Sequence, residues 1–502
     1  MVGMRGKWGN ELMAKFSTNR YGPHHTAMRL PPKVSEERSL MLAPDHILSR
    51  LTAAAAVDRS PHRTRHIELG AGASQALPSW LQDEHPGQVD LLIADAHTWE
   101  VAGEALFEAL RAQGRAPRKL ILEPQGDDDH LVCEDGVIAA LRTFLNTSEK
   151  LNPLALGSGS VNDIVKSASF ELGRAYQVVP TAASMNGYTS SISAVLSEGV
   201  KRTLPTHQPE AVFADVDIIR AAPPVMNQAG FGDLLSKPFS QADWLLSHIV
   251  RGVPYSNEAA GLLDRPWHQM VQRAEGVGTG ESRSIEVLLE TLLISGFSMA
   301  IAGTSAPASG AEHLISHYWD MEQHCQEVAI RGLHGTQVGI GTLVSAFTLK
   351  KLATLDKASF QRLVDQAECP NHDWIEHISK VHPQLTEEVV EELKEQLRKK
   401  ELTPNDQRAQ LQTLAASWDE VAPRLREVLL SPEAMMGALK AAGCPRSGSA
   451  LMVRKSEFIR TVRVCRHIRS RYTNFDLADH LGMLEAWSQE AVEWVEEEAE
   501  KS

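Results

Sequence analysis

Short apolar runs alternate with helical patterns between residues 66 and 215, and this alternation restricts the fold more than any other feature of the chain. A helical pattern from Val101 to Gln113 lies between the second and third runs. Strand–helix–strand alternation is typical of a parallel sheet with helices on both faces, so we predict an α/β fold here. The predicted strands are His66–Gly70, Val89–Asp95, Lys119–Leu122, Leu154–Leu156, Ala175–Pro180 and Ala211–Asp215.

Strand signals fade beyond Pro223 and Pro224, and the remainder of the chain has helical patterns. Thr386, for example, can cap a helix whose following apolar residues keep helical spacing. Residues 401–450 are expected to hold two or three more helices, and residues 1 to about 64 show no sustained period. We predict an extension at residues 1–64, an α/β domain at 65–223, and a helical domain at 224–502 with an additional helical segment at about 350–455.

Charge and cysteine content narrow the function class. The formal net charge of −14 and the pI near 5.8 argue against a protein that binds nucleic acid. Five scattered cysteines without a CxxC pair indicate a reducing compartment, and we expect a cytoplasmic location. The N-terminus lacks the continuous apolar run of a signal peptide. Residues 291–311 carry no charge but include glycine, proline and several hydroxyl side chains, so we interpret them as a buried helix and a loop, not as a membrane span.

His313 and His317 lie four residues apart in a stretch that follows Pro307 and is predicted to be a helix, so they share one helix face. Such a pair can bind a divalent metal, although histidines with ordinary hydrogen bonds explain the spacing equally well. His334 lies between glycines that let backbone approach a ligand, and Asp233 follows Gly-Phe-Gly where an aspartate usually caps a helix. Together Asp233, His313 and His334 would form a three-ligand metal site with an open position.

A Gly-Ser-Gly-Ser turn at residues 157–160 joins a predicted strand to a predicted helix. The N–H groups of such a turn suit a pyrophosphate, and the alternative is a plain tight connection. Asp95 ends a strand, where it can accept from a ribose hydroxyl or serve as a turn or cap residue. The loop Thr181–Ser191 is rich in hydroxyl and small side chains, and it can contact a nucleotide and a substrate or simply be solvated.

Five arginines near the end of the chain precede Tyr472, and four of them are spaced three residues apart on one side of a predicted helix. They form either a solvated face or a contact for phosphate. These arginines are Arg460, Arg463, Arg466, Arg469 and Arg471.

In these ordered motifs the chain resembles the sn-glycerol-1-phosphate dehydrogenases, including the bacterial arabinose-operon type. That family belongs to the iron-containing alcohol dehydrogenase and dehydroquinate synthase superfamily. The resemblance covers roughly residues 66–350 and a patch near the end. The matching motifs are Gly157–Asp163, Val179–Gly187, Ala229–Leu235, Ala308–His317, His334–Gly339 and Ile468–Ala478.

The resemblance implies an N-terminal Rossmann-like domain that binds NAD(H) or NADP(H), an all-α C-terminal domain, and an active site in the cleft between them. It implies one divalent metal (zinc, nickel or iron) on Asp233, His313 and His334. Substrate contacts and catalytic roles fall on Asn186, Asp233 and His317. Cofactor contacts fall on Gly159, Ser160, Val161, Asn162, Asp163, Thr181, Ala182, Ala183, Ser184 and Ser190, and Gly157 and Asp95 join this set from the strand ends.

The expected reaction is the reversible reduction of dihydroxyacetone phosphate, or a similar small keto-polyol, to sn-glycerol 1-phosphate. The enzyme is expected to be a homo-oligomer. Two departures from the family pattern matter: Asn186 replaces an aspartate, and Ala306 replaces an arginine before the histidine helix. An amide can accept or donate a hydrogen bond but carries no charge. The alternatives are a cyclase like the dehydroquinate synthases and a catalytically decayed protein that binds a partner as a scaffold.

Overall fold

The computed structural model describes residues 53–58, 62–124, 131–147, 150–197 and 200–501. Most of the predicted extension at residues 1–64 therefore lies outside the described residues. Within them, one sheet has six parallel strands in the order β1-β8-β5-β4-β2-β3, and β6 and β7 form a separate antiparallel pair. The strands are β1 His66–Gly70, β2 Val89–Ala94, β3 Arg118–Ile121, β4 Leu151–Gly157, β5 Gln177–Pro180, β6 Ile192–Ser197, β7 Val200–Pro205 and β8 Ala211–Asp215.

Apolar runs become central strands because both faces of the sheet are covered. All seven residues of β4 are buried, and β4 aligns with β2 from Leu151 opposite Val89 to Ala155 opposite Ile93. Successive side chains point to opposite faces, so the strands contribute to two apolar clusters. Leu92, Leu154, Leu156, Val179 and Phe213 pack in one cluster. Leu91, Ile93, Ala155, Val178 and Val212 pack in the other.

Helices surround this sheet and make up most of the chain beyond it. Those interleaved with the strands are α1 Leu77–Glu84, α2 Ala96–Thr98, α3 Glu104–Ala112, α4 Asp135–Leu145, α5 Gly159–Glu171 and α6 Val216–Arg220. Those from residue 224 to residue 366 are α7 Pro224–Leu235, α8 Lys237–Arg251, α9 Asn257–Gly261, α10 Asp264–Val271, α11 Ala274–Thr279, α12 Ser282–Ala302, α13 Ala311–Cys325, α14 His334–Thr354 and α15 Lys357–Gln366. The rest are α16 Glu387–Lys400, α17 Pro404–Ala416, α18 Trp418–Val428, α19 Pro432–Ala441, α20 Lys455–Val464, α21 Asn474–His480 and α22 Leu484–Lys501.

The predicted fold class is confirmed: a parallel α/β sheet is followed by a mostly helical region. Thr386 caps α16 through the N–H of Val389, as its sequence position indicates. The pair β6–β7 was not predicted, because serine, lysine, arginine and threonine interrupt the apolar residues of these two strands. Strand order reverses after β3, since β2 has β3 on one side and β4 on the other. The carboxyl ends of β2 and β4 therefore flank the crevice in which such sheets bind ligands.

Within the described residues, α12 is the single helix long and apolar enough by itself to cross a membrane, and 83% of its apolar stretch is buried inside the fold. Helices α14 and α15 meet the same test only as a pair, and they are bent by 106°. The burial of α12 agrees with its interpretation as a core helix.

Candidate active site

The turn between β4 and α5 forms the first wall of the site. A Cβ on Gly157 would lie 2.6 Å from the Cβ of Val161, so glycine allows the helix to follow the strand this closely. Helix α5 begins at Gly159, and the Ser158 side chain does not cap it. Its first N–H groups are thus left for water or a ligand, which suits the pyrophosphate of a dinucleotide.

The predicted cofactor residues Asn162 and Asp163 lie deeper, with their side chains bound within the protein. Asn162 Oδ1 accepts from the Tyr176 hydroxyl at 3.2 Å, and Asp163 Oδ2 accepts from the N–H of Ala194 at 3.1 Å. These contacts attach the N-terminal part of α5 to Tyr176, which precedes β5, and to strand β6.

Lys166, which the sequence did not single out, is fully buried on the same helix. Its ammonium donates to the Gly187 carbonyl at 2.6 Å and to the Ile192 carbonyl at 3.0 Å, and it lies 3.3 Å from Asp163 Oδ1. Burial lowers the pKa of Lys166, and the nearby Asp163 carboxylate opposes that effect. Lys166 thereby fixes the loop that contains Ser190 to helix α5.

The loop Thr181–Ser191 is held over α7, so the interpretation as a solvated loop is wrong for its core. Ala183 donates its N–H to Asn227 Oδ1 at 2.9 Å, and the Tyr188 hydroxyl donates to the Ala182 carbonyl at 2.7 Å. Thr181, Ala182, Ala183 and Ser190 are buried, whereas Ser184 and Asn186 are half-buried. Asp95 caps α2 by accepting from the N–H of Thr98 at 2.8 Å. Its contact with a ribose stays a prediction.

Asp233, His313 and His334 converge from three helices, α7, α13 and α14. Each offers one ligand atom, and these atoms lie within 4.8 Å of one another. His313 Nε2 is 3.4 Å from Asp233 Oδ1, and both side chains are almost completely buried. A carboxylate oxygen and two imidazole nitrogens in this arrangement fit a divalent transition metal.

Close helix packing brings these ligands together. A Cβ on Gly232 would lie 2.4 Å from the Gly335 carbonyl oxygen, and one on Gly335 would lie 2.0 Å from the Ala229 carbonyl oxygen. The expectation that Asp233 sits in a turn as a helix cap is therefore wrong. Asp233 lies inside α7, and the neighbouring glycines serve the contact between α7 and α14.

Hydrogen bonds at Nδ1 fix the tautomers of both histidine ligands. His313 Nδ1 is 2.8 Å from Glu312 Oε1, and an ionised carboxylate only accepts, so this nitrogen carries the hydrogen. The Ser316 hydroxyl donates to Gln337 Oε1 at 2.6 Å, so His334 Nδ1 must donate to Ser316 at 2.9 Å. Both rings consequently keep the Nε2 lone pair for a metal, as ligating histidines do.

Local charges set the protonation states that a metal requires. Burial raises the pKa of Asp233, but the Lys237 ammonium at 2.8 Å and the ring of His313 outweigh it and bring the pKa below its ordinary value. Burial, followed by the charge of His313, lowers the pKa of His334 to about 3, which keeps this ring neutral at neutral pH. Lys237 also donates to the Ala308 carbonyl at 3.0 Å. Its spacing of four residues from Asp233 was the available sequence signal.

The two remaining predicted substrate residues border this triad. Asn186 Nδ2 donates to Asp233 Oδ1 at 3.2 Å. The ring of His317 stacks on His334 with centroids 5.2 Å apart, and its Nδ1 is buried with no partner among the described residues. Burial lowers the pKa of His317 well below its ordinary value, so the neutral ring offers one nitrogen to a ligand.

His317, Asp320 and His334 form a second set of groups whose ligand atoms lie within 4.8 Å of one another. It shares His334 with the first set, and Asp320 Oδ1 already accepts from Gln337 Nε2 at 3.1 Å. The Asp233 set has both histidine tautomers fixed, and it is therefore the better candidate metal site.

The parallel sheet and the helical region that follows it are the features by which the chain can be compared with known proteins. A family model described as iron-containing alcohol dehydrogenase matches residues 68–223. The fold is similar to a probable glycerol dehydrogenase from Sinorhizobium meliloti 1021, with a TM-score of 0.54, 19% identity, and coverage of 86% of this chain and 99% of that one. It is also similar to glycerol dehydrogenase from Schizosaccharomyces pombe, with a TM-score of 0.52, 16% identity, and coverage of 87% and 93%.

Sequence relatives narrow that class. The chain is 34% identical over 304 residues to an NAD(P)+ glycerol-1-phosphate dehydrogenase from Bacillus velezensis, covering 60% of this chain and 75% of the relative. It is 33% identical over 322 residues to one from Halalkalibacterium halodurans, covering 63% and 80%. The protein belongs to the glycerol-1-phosphate dehydrogenase family, which confirms the resemblance found in its motifs.

Proposed function

We propose that the protein is a metal-dependent, NAD(P)-linked dehydrogenase that reduces dihydroxyacetone phosphate to sn-glycerol 1-phosphate. The observation that carries the proposal is the convergence of Asp233, His313 and His334, with both histidine Nε2 lone pairs available, beside the Thr181–Ser191 loop, whose Asn186 donates to Asp233. Membership of the glycerol-1-phosphate dehydrogenase family supports the substrate and the cofactor.

The side chains of the triad would hold zinc, nickel or iron. A cation bound there would polarise the substrate oxygens as a Lewis acid, and the nicotinamide would supply the hydride. Lys237 and Asn186 orient the Asp233 carboxylate, because both donate to its Oδ1. Glu312 and Ser316 hold the two imidazoles in position. His317 presents an uncommitted nitrogen, with which it can orient a substrate hydroxyl or relay a proton.

The departure at Asn186 is compatible with this chemistry. Its amide nitrogen is used by Asp233, so its oxygen remains to accept from a substrate hydroxyl. The loop before α13 is also held without an arginine at position 306. Arg471 donates to the Ser305 hydroxyl at 2.7 Å and to the Ser309 carbonyl.

We further propose that NAD(H) or NADP(H) lies along the Gly157–Asp163 turn and the Thr181–Ser190 loop, with the division at residue 223 separating the cofactor-binding and metal-binding domains. A cytoplasmic location and a homo-oligomeric state belong to the same proposal.

A decayed enzyme that acts as a scaffold is the second candidate, and Asn186 is the observation that favours it. The test is oxidation of NADH and NADPH by the purified protein with dihydroxyacetone phosphate, dihydroxyacetone and simple ketones, each with added zinc, nickel or iron. Turnover with dihydroxyacetone phosphate supports the dehydrogenase. No turnover in any combination, followed by turnover in Asn186→Asp, would support decay from an enzyme.

A further inference from the structure

The motif Ile468–Ala478 belongs to the sequence resemblance, yet none of its residues is among the three candidate metal ligands. Within it, Asn474 is the first residue of α21, and it is completely buried. A buried amide must find hydrogen-bond partners inside the fold. The partners of Asn474 therefore indicate what this motif contributes to the protein.

Asn474 is hydrogen-bonded to two other helices. Its backbone N–H donates to Asp243 Oδ1 on α8 at 2.7 Å, and its Nδ2 donates to the same oxygen at 2.9 Å. Nδ2 also donates to the Ser345 hydroxyl of α14 at 3.0 Å. Because the oxygens of a carboxylate accept hydrogen bonds, the amide nitrogen of Asn474 faces Asp243. One side chain thus joins α8 to α14, the helix that begins with His334.

Asp243 continues this connection to α13. Helix α13 begins at Ala311, and the residue before it, Gly310, has no side chain with which to cap the helix. Asp243 Oδ2 accepts from the N–H of Ala311 at 2.8 Å and so acts as the cap from a different helix. Such an acceptor satisfies a helix-terminal N–H that otherwise has no partner. Asp243 therefore fixes the turn of α13 that contains His313.

Glu312 connects the same glycine to the ring of His313. Its Oε1 accepts from the N–H of Gly310 at 2.7 Å, from the Ser240 hydroxyl of α8 at 2.7 Å and from His313 Nδ1 at 2.8 Å. A Cβ on Gly310 would lie 2.7 Å from Asp243 Oδ2 and 2.8 Å from Glu312 Oε2. The two carboxyl groups pack closely against one glycine, so a shift of Asp243 would displace Gly310 and, through Glu312, the imidazole of His313.

We propose that Asn474 is a positioning residue of the metal site, which holds α13 and α14 at the separation that a shared cation needs between His313 and His334. The amide acts on α13 through Asp243 and on α14 through Ser345. Ligands must be held within about 0.5 Å of their working positions, and residues outside the ligand set supply that constraint. The inference rests on the proposed function, and it assigns a task to the motif near the end of the chain.

The test compares Asn474→Leu with wild type and with the matched control Asn152→Leu. Leucine branches at the same atom as asparagine but makes no side-chain hydrogen bond. Asn152 is also buried, and its Nδ2 donates to Asp90 Oδ1 at 3.2 Å in the α/β sheet. Cobalt(II) is the probe, because its visible absorption reports the geometry of its ligands. We expect Asn474→Leu to weaken cobalt binding about 10- to 100-fold and to alter this spectrum, whereas Asn152→Leu should do neither.

Asp243→Asn is the second variant, and it keeps the size of the side chain. An amide has a single oxygen, so it cannot accept from the N–H groups of both Ala311 and Asn474. We expect the same changes in cobalt affinity and spectrum as in Asn474→Leu. This variant decides the question if Asn474→Leu does not fold, which circular dichroism will show.

Hydrogen exchange of the metal-free proteins needs neither a cation nor turnover. The N–H of Ala311 should exchange faster in Asn474→Leu and Asp243→Asn than in wild type, and at the wild-type rate in Asn152→Leu. Unchanged cobalt affinity and spectrum in Asn474→Leu and Asp243→Asn would overturn the inference, as would equal changes in Asn152→Leu. A wild type that binds no cobalt would overturn the inference and the proposed function together. A wild type whose cobalt binding depends on Asn474 but which turns over no substrate would refute the proposed function alone.

Discussion

Lys237 controls the charge of the Asp233 carboxylate. Its ammonium and the Asp233 carboxylate form a buried ion pair of 2.8 Å, and both side chains are at most 2% exposed. Removing one partner of such a pair leaves a buried charge without compensation. A bound cation would provide the missing positive charge, so metal and Lys237 should partly replace each other.

Lys237→Met should therefore lower the free energy of unfolding of metal-free protein by about 3–5 kcal/mol. Saturating zinc should reduce that loss. Denaturant unfolding with and without zinc measures both effects. Lys350→Met is the matched control, because Lys350 forms an exposed pair with Glu433 and should change stability by less than about 1 kcal/mol. Equal losses in the two variants would contradict the assigned role.

At this scale the sequence predicted the residues with distinctive chemistry and missed those that support them. Asp233, His313 and His334 were singled out because metal ligation needs these residue types, and the structure brings the three side chains together. Lys166 and Glu312 were missed, because charged side chains are ordinarily exposed and nothing in a single sequence marks a buried one. Lys237 was missed although its spacing of four residues from Asp233 was an available signal. The five arginines before Tyr472 also show that burial of a charged side chain is not visible in the sequence. Arg466 is not part of a solvated face but is buried, with partners at Glu401, Asp476 and Asp479.

Among the elements, the crossing of α7 and α14 determines the geometry of the triad. Gly232→Ala should place a Cβ 2.4 Å from the Gly335 carbonyl oxygen and force the helices apart. We expect a loss of about 1–3 kcal/mol in stability together with weaker metal binding, since Asp233 would move away from His334. Thermal unfolding and metal titration measure the two effects.

Gly437→Ala is the control for that substitution. Gly437 also lies within a helix, α19, but its added Cβ would meet nothing within 4 Å. It should stabilise the protein by up to about 1 kcal/mol through helix propensity alone. A similar gain in Gly232→Ala would show that the crossing does not constrain the site.

The segment at residues 372–400 attaches to α13 through buried His382, which also pairs with His467 in the 3-10 turn after α20. His382 Nε2 is 2.9 Å from His467 Nδ1, and His382 Nδ1 is 2.8 Å from the Tyr318 hydroxyl. Burial, followed by the positive charge of Arg460, lowers the pKa of His382 to about 4. His382 therefore stays neutral in the folded protein at pH values between about 4 and 6.5. In the unfolded chain the same side chain binds a proton in this range, because its ordinary pKa is about 6.5.

Stability should therefore fall as the pH decreases from about 6.5 to about 4, because the unfolded state binds more protons in that window. His382 should contribute about 1.4 kcal/mol per pH unit within it. His382→Gln should show a correspondingly smaller slope in unfolding experiments across this range, whereas exposed His324→Gln should keep the wild-type slope. Equal slopes in all three proteins would exclude the histidine pair as a source of acid sensitivity.

The sequence predicted the parallel strands well, because buried strands such as β4 and β8 consist mostly of apolar residues. It did not predict how distant elements meet. The glycines near Asp233 and His334 suggested turns or ligand contacts, yet they pack one helix on another. Such contacts between helices depend on how distant segments are arranged in space. The spacing of residues along one segment does not reveal that arrangement.

At the scale of the whole molecule, the additional segment at about 350–455 was predicted to be helical, but its docking was not. Phe360 stacks on Trp418 at 3.8 Å between ring centroids, and Lys400 pairs with Asp476 at 2.7 Å. The second contact connects the segment to the region of the Ile468–Ala478 motif. The segment therefore supports the part of the chain that includes Arg471, which contacts the loop before α13.

The central claim is that three side chains hold one cation on which turnover depends. The direct measurement is NAD(P)H oxidation with dihydroxyacetone phosphate while zinc, nickel or iron is titrated into chelator-stripped protein, with bound metal quantified in the same samples. The account predicts that the rate rises with bound cation, saturates at one per chain, and is lost together with metal in Asp233→Asn. Full activity without metal, or unchanged metal binding in Asp233→Asn, would contradict it.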